Sequence, residues 1–316
     1  MQMIDAAQIR ALLDWEGVLQ ALQQAHLGAR PAGDSYFIGD AEYGLFSRGV
    51  VLPGYGAGVK VCSIYPAGNA ATPPVPTEQA AFIVIDEASK AIAAILDGPE
   101  ITRWKTAADS ALAARKLSRE DSAVLLVMGA GPIAQALADA YLHIRPSLRE
   151  VLLWNRTPAK LMATCAELQA RGVNARIVDD LDPAMARADI IASATSAPAP
   201  LIRGELVRPG THLDLVGGYR ADMREADDQA VANARIFVDD QDSAACAGDI
   251  LGPLQAGVIQ PGQIEGDLYD LCQRSPFARA ATDRTLYKNA GGAHLDLVVG
   301  QYALGRLKAR AKGLGA

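Results

Sequence analysis

The stretch that most constrains the fold lies near the middle of the chain, at residues 123–141. An apolar run over 123–128 predicts a β-strand, and a helix-forming run begins at Pro132. Gly129-Ala130-Gly131 joins the two, and glycines there permit a tight turn and close approach of backbone to a phosphate. Because N–H groups at a helix start favour negative charge, the stretch predicts a dinucleotide site. The site would be formed by Gly129, Gly131, Pro132 and Ile133; an ordinary strand-to-helix turn is the alternative.

The chain beyond this turn alternates between apolar strands and helical segments, which is typical of a parallel sheet with crossover helices. Strands are predicted at 150–154, 174–178, 190–194, 212–216 and 235–238. Helices are predicted at 158–171 and 225–234. We therefore expect an α/β fold with a Rossmann-type parallel sheet domain over residues 116–289.

The first hundred residues have a different pattern. Apolar residues at helical spacing predict a helix over 15–26, and His26 near its end is interpreted as a helix-terminal residue rather than a ligand. A β-like pattern follows over 43–66, and 82–95 has the pattern of a hairpin. A connecting helix is predicted to open at Thr102, and a long helix to span about 294–312. These elements predict an α+β domain made of residues 1–115 with 290–316.

Composition narrows the range of partners. The chain has 316 residues and a formal charge of −6, so two domains are expected and a nucleic-acid partner is not. The four cysteines and four histidines are widely spaced, which predicts neither a metal site nor a disulfide framework. The N-terminus lacks the pattern of a signal peptide, and no apolar run approaches the ~18 residues of a membrane span. A cytoplasmic protein without a membrane partner is expected.

The end of the second strand of the parallel sheet informs the choice of cofactor. In such folds a carboxylate at that position binds the ribose 2′-hydroxyl, whereas an arginine accommodates a 2′-phosphate. This chain has Asn155, Arg156 and Thr157 there, so NADP(H) is expected in preference to NAD(H). NAD(H) is the alternative cofactor. Arg156 as a solvated surface charge is the alternative. Ala194 and Thr195, at the end of a later strand, are expected to line the dinucleotide.

Several motifs outside the glycine turn occur in a recognisable order. They are Gly58–Val61, Tyr65–Asn69, Thr106–Ala114, Val216–Gly218 with Met223–Glu225, and Lys288–Ala293. With these motifs the chain resembles the ornithine cyclodeaminase/mu-crystallin family over nearly its whole length. The resemblance implies a homodimer built through the N-terminal domain, to which the C-terminal helix returns. It also implies a nicotinamide cofactor between the domains, contacted by Val216 and Gly217 as well.

The family includes enzymes of several kinds as well as binding proteins, and two departures from its pattern help to choose among them. Cyclodeaminases of the family have a catalytic aspartate after the paired glycines. This chain has Tyr219 there, and a neutral phenol cannot replace a carboxylate base. The second departure is Lys105 in place of the usual arginine. The loop with Met223-Arg224-Glu225 is similar to that of the reductases acting on cyclic imino acids.

The resemblance therefore implies an NAD(P)H-dependent imine reductase that converts 1-pyrroline-2-carboxylate to proline. The expected substrate class is small cyclic 2-imino acids and also includes 1-piperideine-2-carboxylate, the precursor of pipecolate. Ornithine cyclodeaminase and hydroxyproline dehydratase are alternatives within the enzyme class. A crystallin-like protein that holds NADP and a small ligand without useful turnover is the alternative outside it.

Matching to the family also gives the residues expected at the substrate. Lys60 is expected to bind the substrate and to support its protonation through bound water. Arg48 is the expected carboxylate clamp, and Lys105 is the second cation. Further substrate contacts are expected from Asn69, Thr106, Tyr219, Gly291 and Gly292.

Structural alternatives accompany these charged residues. A lysine at position 60 of an alternating strand is usually solvated, and Lys105 has a possible ion-pair partner in Asp109 at i+4. Asp296 is expected to be a first-turn helix carboxylate rather than a catalyst. No role is expected for His294.

Overall fold

The computed structural model describes residues 1–218, 220–274 and 277–313. Of Asn69, it describes the main chain alone. The chain divides into two compact units. Unit 1 consists of Met1–Lys105 and the C-terminal segment that begins at Gly292, and unit 2 consists of Thr106–Gly291. Each unit is built around its own β-sheet, which has six strands in unit 1 and eight in unit 2.

The described residues form strands and helices with the following bounds. The strands are β1 (Gln2–Ile4), β2 (Ala32–Gly39), β3 (Gly44–Leu52), β4 (Gly56–Ile64), β5 (Glu78–Ile85), β6 (Ile92–Asp97), β7 (Val124–Met128), β8 (Glu150–Trp154), β9 (Ala175–Ile177), β10 (Ile190–Ser193), β11 (His212–Leu215), β12 (Arg235–Val238), β13 (Ile264–Asp267) and β14 (Thr285–Lys288). The helices are α1 (Ala6–Leu12), α2 (Trp15–His26), α3 (Gly98–Leu117), α4 (Pro132–Ile144), α5 (Met162–Ala170), α6 (Leu181–Met185), α7 (Asp228–Ala232), α8 (Gln241–Ala245), α9 (Gly248–Gln255), α10 (Leu268–Gln273) and α11 (Ala293–Ala311). Short 3-10 turns lie at Gly68–Ala70, Pro158–Leu161, Gly204–Leu206 and Pro261–Gln263.

The sheet of unit 1 has the strand order β1-β6-β5-β4-β3-β2. Its neighbours pair antiparallel except for β1, which pairs parallel with β6. Helix α11 packs against α2 and against the sheet, over the buried side chains of Phe82 and Val84. A Cβ added at Gly300 of α11 would lie 2.9 Å from Leu96 Cδ1, so the missing side chain lets helix and sheet approach closely. The C-terminal helix is therefore part of the core of unit 1.

The edge strand β2 of this sheet is exposed along its whole length. Every residue from Ala32 to Gly39 is exposed, including the apolar run Tyr36-Phe37-Ile38, whose side chains are about half exposed or more. Apolar residues on both faces of an edge strand are unusual on a protein surface, because such strands readily pair with another chain.

Helix α3 begins four residues earlier than the sequence predicts. Thr102 was expected to open it, but the helix begins at Gly98, because the carboxylate of Asp97 accepts a hydrogen bond from the N–H of Glu100 at 2.8 Å. Asp97 is therefore the residue that caps the helix, with Pro99 and Glu100 in the first turn, where both are favourable. Thr102 lies inside the helix.

The sheet of unit 2 is parallel throughout, in the order β13-β12-β14-β11-β10-β7-β8-β9. Strand order reverses between β7 and β10, and ligands of open α/β sheets bind at such a switch point. The five strands predicted after the glycine turn are all present, within one or two residues of their predicted ends. The predicted α/β fold, a Rossmann-type sheet domain with an α+β domain, is thus confirmed.

Helix α7 is shorter than the segment 225–234 predicted for it. Asp227 caps it by accepting a hydrogen bond from the N–H of Ala230 at 2.7 Å, so Glu225 precedes the helix and lies in a buried loop. Among the described helices, none has the length and apolar character needed to cross a bilayer.

Candidate functional site

An arginine on β3 and a lysine on β4 lie directly opposite each other in the sheet of unit 1. Arg48 and Lys60 are Cα partners in this antiparallel pair. Residues in such positions place their side chains on the same face, with Cβ atoms about 5 Å apart, and like charges there repel each other. Nearby negative charge relieves that repulsion. The pair therefore marks a place where an anion is stabilised.

The ammonium group of Lys60 has two partners among the described residues. Its Nζ donates to Thr102 Oγ1 on α3 and to Asp296 Oδ1 on α11, the latter at 3.0 Å. Thr102 Oγ1 itself donates to the C=O of Gly98 at 2.7 Å, so its lone pairs serve the lysine. Because an ammonium group has three donors, one N–H of Lys60 is left for a ligand. The lysine side chain is 16% exposed and that of Asp296 is 3% exposed.

Two buried histidines lie beside this lysine-containing region. The Nε2 atoms of His26, at the end of α2, and of His294, in the first turn of α11, are 3.3 Å apart. Nδ1 of His26 donates to the carbonyl of Leu22 at 2.7 Å, and one of the two Nε2 atoms donates to the other. Burial lowers the pKa of His294 well below its ordinary value. The charges of His26, Lys105 and Arg48 lower it further.

We call Arg48, Lys60, Lys105 and Asp296 the cationic cluster. Lys105 lies on α3 and is 6% exposed. Three positively charged side chains in one region favour a carboxylate, since charge-assisted hydrogen bonds are about twice as strong as neutral ones. The lowered pKa of His294 means that this ring adds no positive charge. The cluster is therefore suited to hold a small carboxylic acid.

Two glycines before α11 have structural roles. Gly292 caps the helix, and a Cβ there would lie 2.5 Å from the His294 ring. Gly291 has φ of +80°, and its N–H donates to the carboxylate of Asp239. Neither position tolerates a side chain without displacing a neighbour or straining the backbone.

The glycine turn of unit 2 joins β7 to α4 at the switch point of the sheet. Gly129 has φ of +118°, and a Cβ there would lie 2.5 Å from the carbonyl oxygen of Ala194. Gly131 caps α4, and a Cβ there would meet no atom within 4 Å. The turn therefore has open space at a helix N-terminus, with Pro132 and Ile133 in the first turn. These residues fit the pyrophosphate of a dinucleotide.

The neighbouring strand ends lie beside this turn. The N–H of Gly129 donates to the carbonyl of Trp154 at the end of β8, at 2.9 Å. Asn155 Nδ2 donates to the C=O of Thr157 at 3.0 Å and shapes the loop, while Arg156 is exposed. After β11, the N–H of Val216 donates to Ser193 O at 2.8 Å.

A fully buried ion pair lies at the end of β14 in unit 2. Lys288 Nζ donates to the C=O of Gly217 and to Asp249 Oδ2, the latter at 3.1 Å, and both charged side chains are wholly buried. Asp249 Oδ1 accepts from the N–H of Glu225 at 2.7 Å. Glu225 in turn accepts from the N–H and hydroxyl of Thr195, both at 2.7 Å. We call Lys288, Asp249 and Glu225 the lysine lock, because it fixes the loops after β10 and β11.

Burial raises the pKa of Glu225 within this lock, and Asp249 raises it further. The Lys288 charge opposes both effects. The lysine lock therefore contains two buried carboxyl groups and only one buried ammonium group.

A second buried polar group connects α3 to β11 and β14. Asp214 accepts from Ser110 Oγ at 2.8 Å, and Asn289 Nδ2 donates to the same hydroxyl at 3.0 Å. Asp109 accepts from the phenol of Tyr287 at 2.7 Å. We call these five residues the aspartate network. Burial raises the pKa of Asp214 to about 7, although the bond from Ser110 opposes the shift.

The structure thus groups the sequence-predicted residues into two sets. Arg48, Lys60 and Lys105 come together in unit 1. The residues predicted to bind the cofactor come together at the carboxyl edge of the unit 2 sheet. Thr106 is buried on α3, and its C=O accepts from Asn289 Nδ2 at 3.0 Å. The side chain of Asn69 and the whole of Tyr219 lie outside the described residues.

Sequence reasoning missed three kinds of residue. Asp296 is a first-turn carboxylate, as expected, yet it is also the ion-pair partner of Lys60, 236 positions away. His26 and His294 form a buried pair, a role that their scattered positions did not indicate. The burial of Lys288 was also missed, although its place directly after Leu286 and Tyr287 was a signal. Among the described residues, no group of three His, Cys, Asp or Glu side chains could hold a metal ion.

Comparisons with known proteins identify relatives that are similar over nearly the whole chain. The chain is 39% identical over 292 residues to a Delta(1)-pyrroline-2-carboxylate reductase of Paracoccus denitrificans, covering 92% of each chain. It is 30% identical over 316 residues to the reductase of the same name from Colwellia psychrerythraea, covering 97% of this chain and 99% of the relative. The structure superimposes with a TM-score of 0.90 on that of Thermococcus litoralis Delta(1)-pyrroline-2-carboxylate reductase in complex with NADH and L-proline. That match has 25% sequence identity and covers 100% of this chain and 99% of the other.

The sequence profile of one family matches most of the chain. It covers residues 51–310, which include β4 with Lys60, the glycine turn and most of α11. This match confirms the resemblance expected from the ordered motifs. The chain belongs to the ornithine cyclodeaminase/mu-crystallin family.

Proposed function

We propose that this protein is an NAD(P)H-dependent reductase of small cyclic 2-imino acids, converting 1-pyrroline-2-carboxylate to proline. The observation that supports this function most directly is the largely buried Lys60 side chain. Its ammonium group keeps one N–H for a ligand, and the residue lies opposite Arg48. The similarity to reductases with this substrate over nearly the full length supports it. In this proposal unit 1 supplies the substrate site and unit 2 the dinucleotide site.

The proposed roles follow from the chemistry of the substrate. Such an acid has a planar C=N bond beside a carboxylate, and Arg48 and Lys60 bind the carboxylate through charge-assisted hydrogen bonds. The bound dinucleotide supplies a hydride to the imine carbon. The ring nitrogen must be protonated, since an iminium is the better hydride acceptor, and solvent water is the proposed source of this proton. Lys105 adds positive charge near the carboxylate.

The proposal is tested by following the absorbance of the reduced nicotinamide with 1-pyrroline-2-carboxylate and 1-piperideine-2-carboxylate. Turnover is expected with both, because one methylene in a pocket is worth only about 1–3 kcal/mol. In Lys60→Ala, kcat/KM should fall about 10²–10⁴-fold, as expected when one partner of a charged, partly buried pair is removed.

The matched control is Lys308→Ala, a lysine near the end of α11 outside the cationic cluster, whose kcat/KM should stay within twofold. Release of ammonia from ornithine without net consumption of NADPH would instead identify a cyclodeaminase. Binding of NADPH and proline without turnover of either imine would identify a binding protein.

We infer that NADPH is preferred to NADH. Arg156 follows β8 directly, and β8 is the neighbour of β7, whose end forms the glycine turn. An exposed guanidinium at this place matches the geometry of a 2′-phosphate, and Asn155 and Thr157 beside it carry no repelling charge. The Thermococcus litoralis relative was solved with NADH, so both cofactors belong in the assay.

We propose that the protein is a homodimer that pairs through unit 1. The support is the exposed apolar run Tyr36-Phe37-Ile38 on β2, at the edge of the sheet. A second copy would cover this run and pair with the unpaired backbone of the edge strand. Light scattering should give twice the mass of one chain.

We also propose a cytoplasmic location. Three cysteines, Cys62, Cys165 and Cys272, are buried free thiols, and Cys246 is an exposed one. Free thiols, an exposed one among them, suit a reducing compartment, which also holds the reduced nicotinamide that the reaction consumes.

A further inference from the structure

Asp296 is not among the site residues that the sequence predicts, yet it contacts one of them, Lys60, directly. It is on the first turn of α11, and its side chain is 3% exposed. The distance of 3.0 Å between Asp296 Oδ1 and Lys60 Nζ is that of a charge-assisted hydrogen bond. A carboxylate this deeply buried is costly unless it is paired, so the fold retains it together with the lysine.

Thr102 gives Lys60 a second fixed contact from a different element. Its hydroxyl proton is engaged by the carbonyl of Gly98, one turn earlier in α3. The oxygen can therefore only accept from Lys60. The ammonium group is thus held from α3 on one side and from α11 on the other, although it sits on the flexible stem of a β4 residue.

These contacts limit the freedom of the lysine. A lysine head group rotates readily about a four-carbon stem and carries about 2 kcal/mol of rotamer entropy. Two fixed acceptors remove that freedom before a ligand arrives, so binding does not have to overcome it. They also leave the third N–H as the donor that a ligand meets.

We propose that Asp296 is a positioning residue, which together with Thr102 holds the Lys60 ammonium so that its third N–H binds the substrate carboxylate. Asp296 does not touch the substrate and acts through Lys60. This inference rests on the proposed function, because it assigns to Lys60 the carboxylate of a 2-imino acid.

The pairing has a second consequence that separates positioning from general support of the fold. If Lys60 is removed, the carboxylate of Asp296 is left buried without this partner, close to where the substrate carboxylate binds. The lost lysine and the uncovered negative charge then both act against the anion. Removing the charge of Asp296 as well should restore part of the affinity, so the two substitutions should be strongly non-additive.

The experiment compares Asp296→Asn, Lys60→Met and the double variant with the unchanged protein. It measures KM and kcat for 1-pyrroline-2-carboxylate, and the Kd of pyrrole-2-carboxylate, a planar acid that cannot be reduced. In Asp296→Asn we expect KM and this Kd to rise about 10–50-fold while kcat changes less than fivefold. The double variant should bind pyrrole-2-carboxylate several-fold more tightly than Lys60→Met.

Glu100→Gln is the matched control. Glu100 is a buried carboxylate of unit 1 that pairs with Arg10 at 2.6 Å, and it lies one turn before Trp104, whose indole N–H it accepts. Its amide variant should lower thermal stability but leave KM and the Kd of pyrrole-2-carboxylate within twofold. Thr102→Val, which keeps the shape but removes the acceptor, should shift KM in the same direction as Asp296→Asn by a smaller factor.

A folded Asp296→Asn protein whose KM and analogue Kd stay within twofold would overturn the inference. So would a double variant that binds the analogue no better than Lys60→Met. The proposed function fails in a different way, if the unchanged protein reduces neither imine. In that case a weaker Kd for pyrrole-2-carboxylate in Asp296→Asn would still support the positioning of Lys60.

Discussion

The two units each bury a group of charged side chains, but the two groups differ in balance and in access. The cationic cluster of unit 1 is rich in positive charge, and Lys60 is 16% exposed with a donor left over. The lysine lock and aspartate network of unit 2 are rich in carboxyl groups and wholly buried, and Lys288 is paired inside the protein. Buried charge therefore does not by itself mark a site. A remaining donor and a path to solvent do.

The strongest test of this difference between the two units is to replace Lys288 and Lys60 in turn. Lys288→Met leaves Asp249 buried without its ion-pair partner, so we expect the free energy of unfolding to fall by about 3–5 kcal/mol. The melting temperature should fall by about 6–20 °C. Lys60→Met also leaves a buried carboxylate, that of Asp296, without this partner, and it removes most activity. It should nevertheless destabilise less than Lys288→Met, because the Lys60 side chain is 16% exposed and water can take its place beside Asp296. Thermal unfolding followed by circular dichroism measures both.

Arg306→Met provides the surface reference for this pair. Its exposed contact with Asp14 is 3.6 Å long, and its loss should change stability by less than about 1 kcal/mol. A Lys288→Met protein as stable as Arg306→Met would show that the lysine lock is not closed to water.

Asp214 gives the aspartate network of unit 2 a pH dependence. Burial raises its pKa from the ordinary 3.8 to about 7, so the folded protein binds this proton more tightly than the unfolded chain does. Its contribution to stability is fully present below pH 4 and is lost as the pH rises to 7. In Asp214→Asn, stability relative to the unchanged protein should therefore increase by about 3–4 kcal/mol between pH 4 and pH 8.

Urea unfolding at a series of pH values measures this difference. The matched control is Asp242→Asn, which makes the same substitution at an exposed position in α8. If Asp214→Asn parallels the unchanged protein across this range, the carboxyl group must already be ionised or solvated in the folded state.

Arg156 gives a further test of the comparison. It is an exposed cation in unit 2, whose other groups of charged side chains, the lysine lock and the aspartate network, are closed to solvent. Arg156→Ala should raise the Kd of NADPH about 5–30-fold, or about 1–2 kcal/mol, by removing a charged hydrogen bond to the 2′-phosphate. The Kd of NADH and the melting temperature should stay unchanged. Fluorescence titration with each cofactor measures the ratio, and equal loss for both cofactors would contradict a phosphate contact.

The sequence predicted the parts of the fold that depend on local pattern. The turn around Gly129 and Gly131 combines a strand, two glycines and a helix within twenty residues, and the structure has all of them. Alternation after the turn gave the five parallel strands. The start of α3 was wrong because Thr102 and Asp97 are both good caps, and pattern alone did not choose between them.

Only part of the candidate site could be predicted from the sequence, for a different reason. Lys60 and Arg48 were singled out by resemblance to a family, not by any local feature of their strands. The pairing of Lys60 with Asp296 joins a strand near the N-terminus to a helix near the C-terminus. The contact between His26 and His294 spans a similar distance along the chain. Such pairs depend on tertiary packing, which spacing along one chain does not encode.

The position of β14 has a consequence for how the protein is made. This strand lies between β11 and β12 in the sheet but is the last strand of the chain. While a ribosome is still translating residues before 285, the emerging β11 and β12 each have an unpaired edge that is open to other nascent chains. Helix α11, which completes the core of unit 1, emerges later still. Both units are therefore complete only after the last tenth of the chain has been translated, and early termination leaves the sheet of unit 2 and the core of unit 1 incomplete.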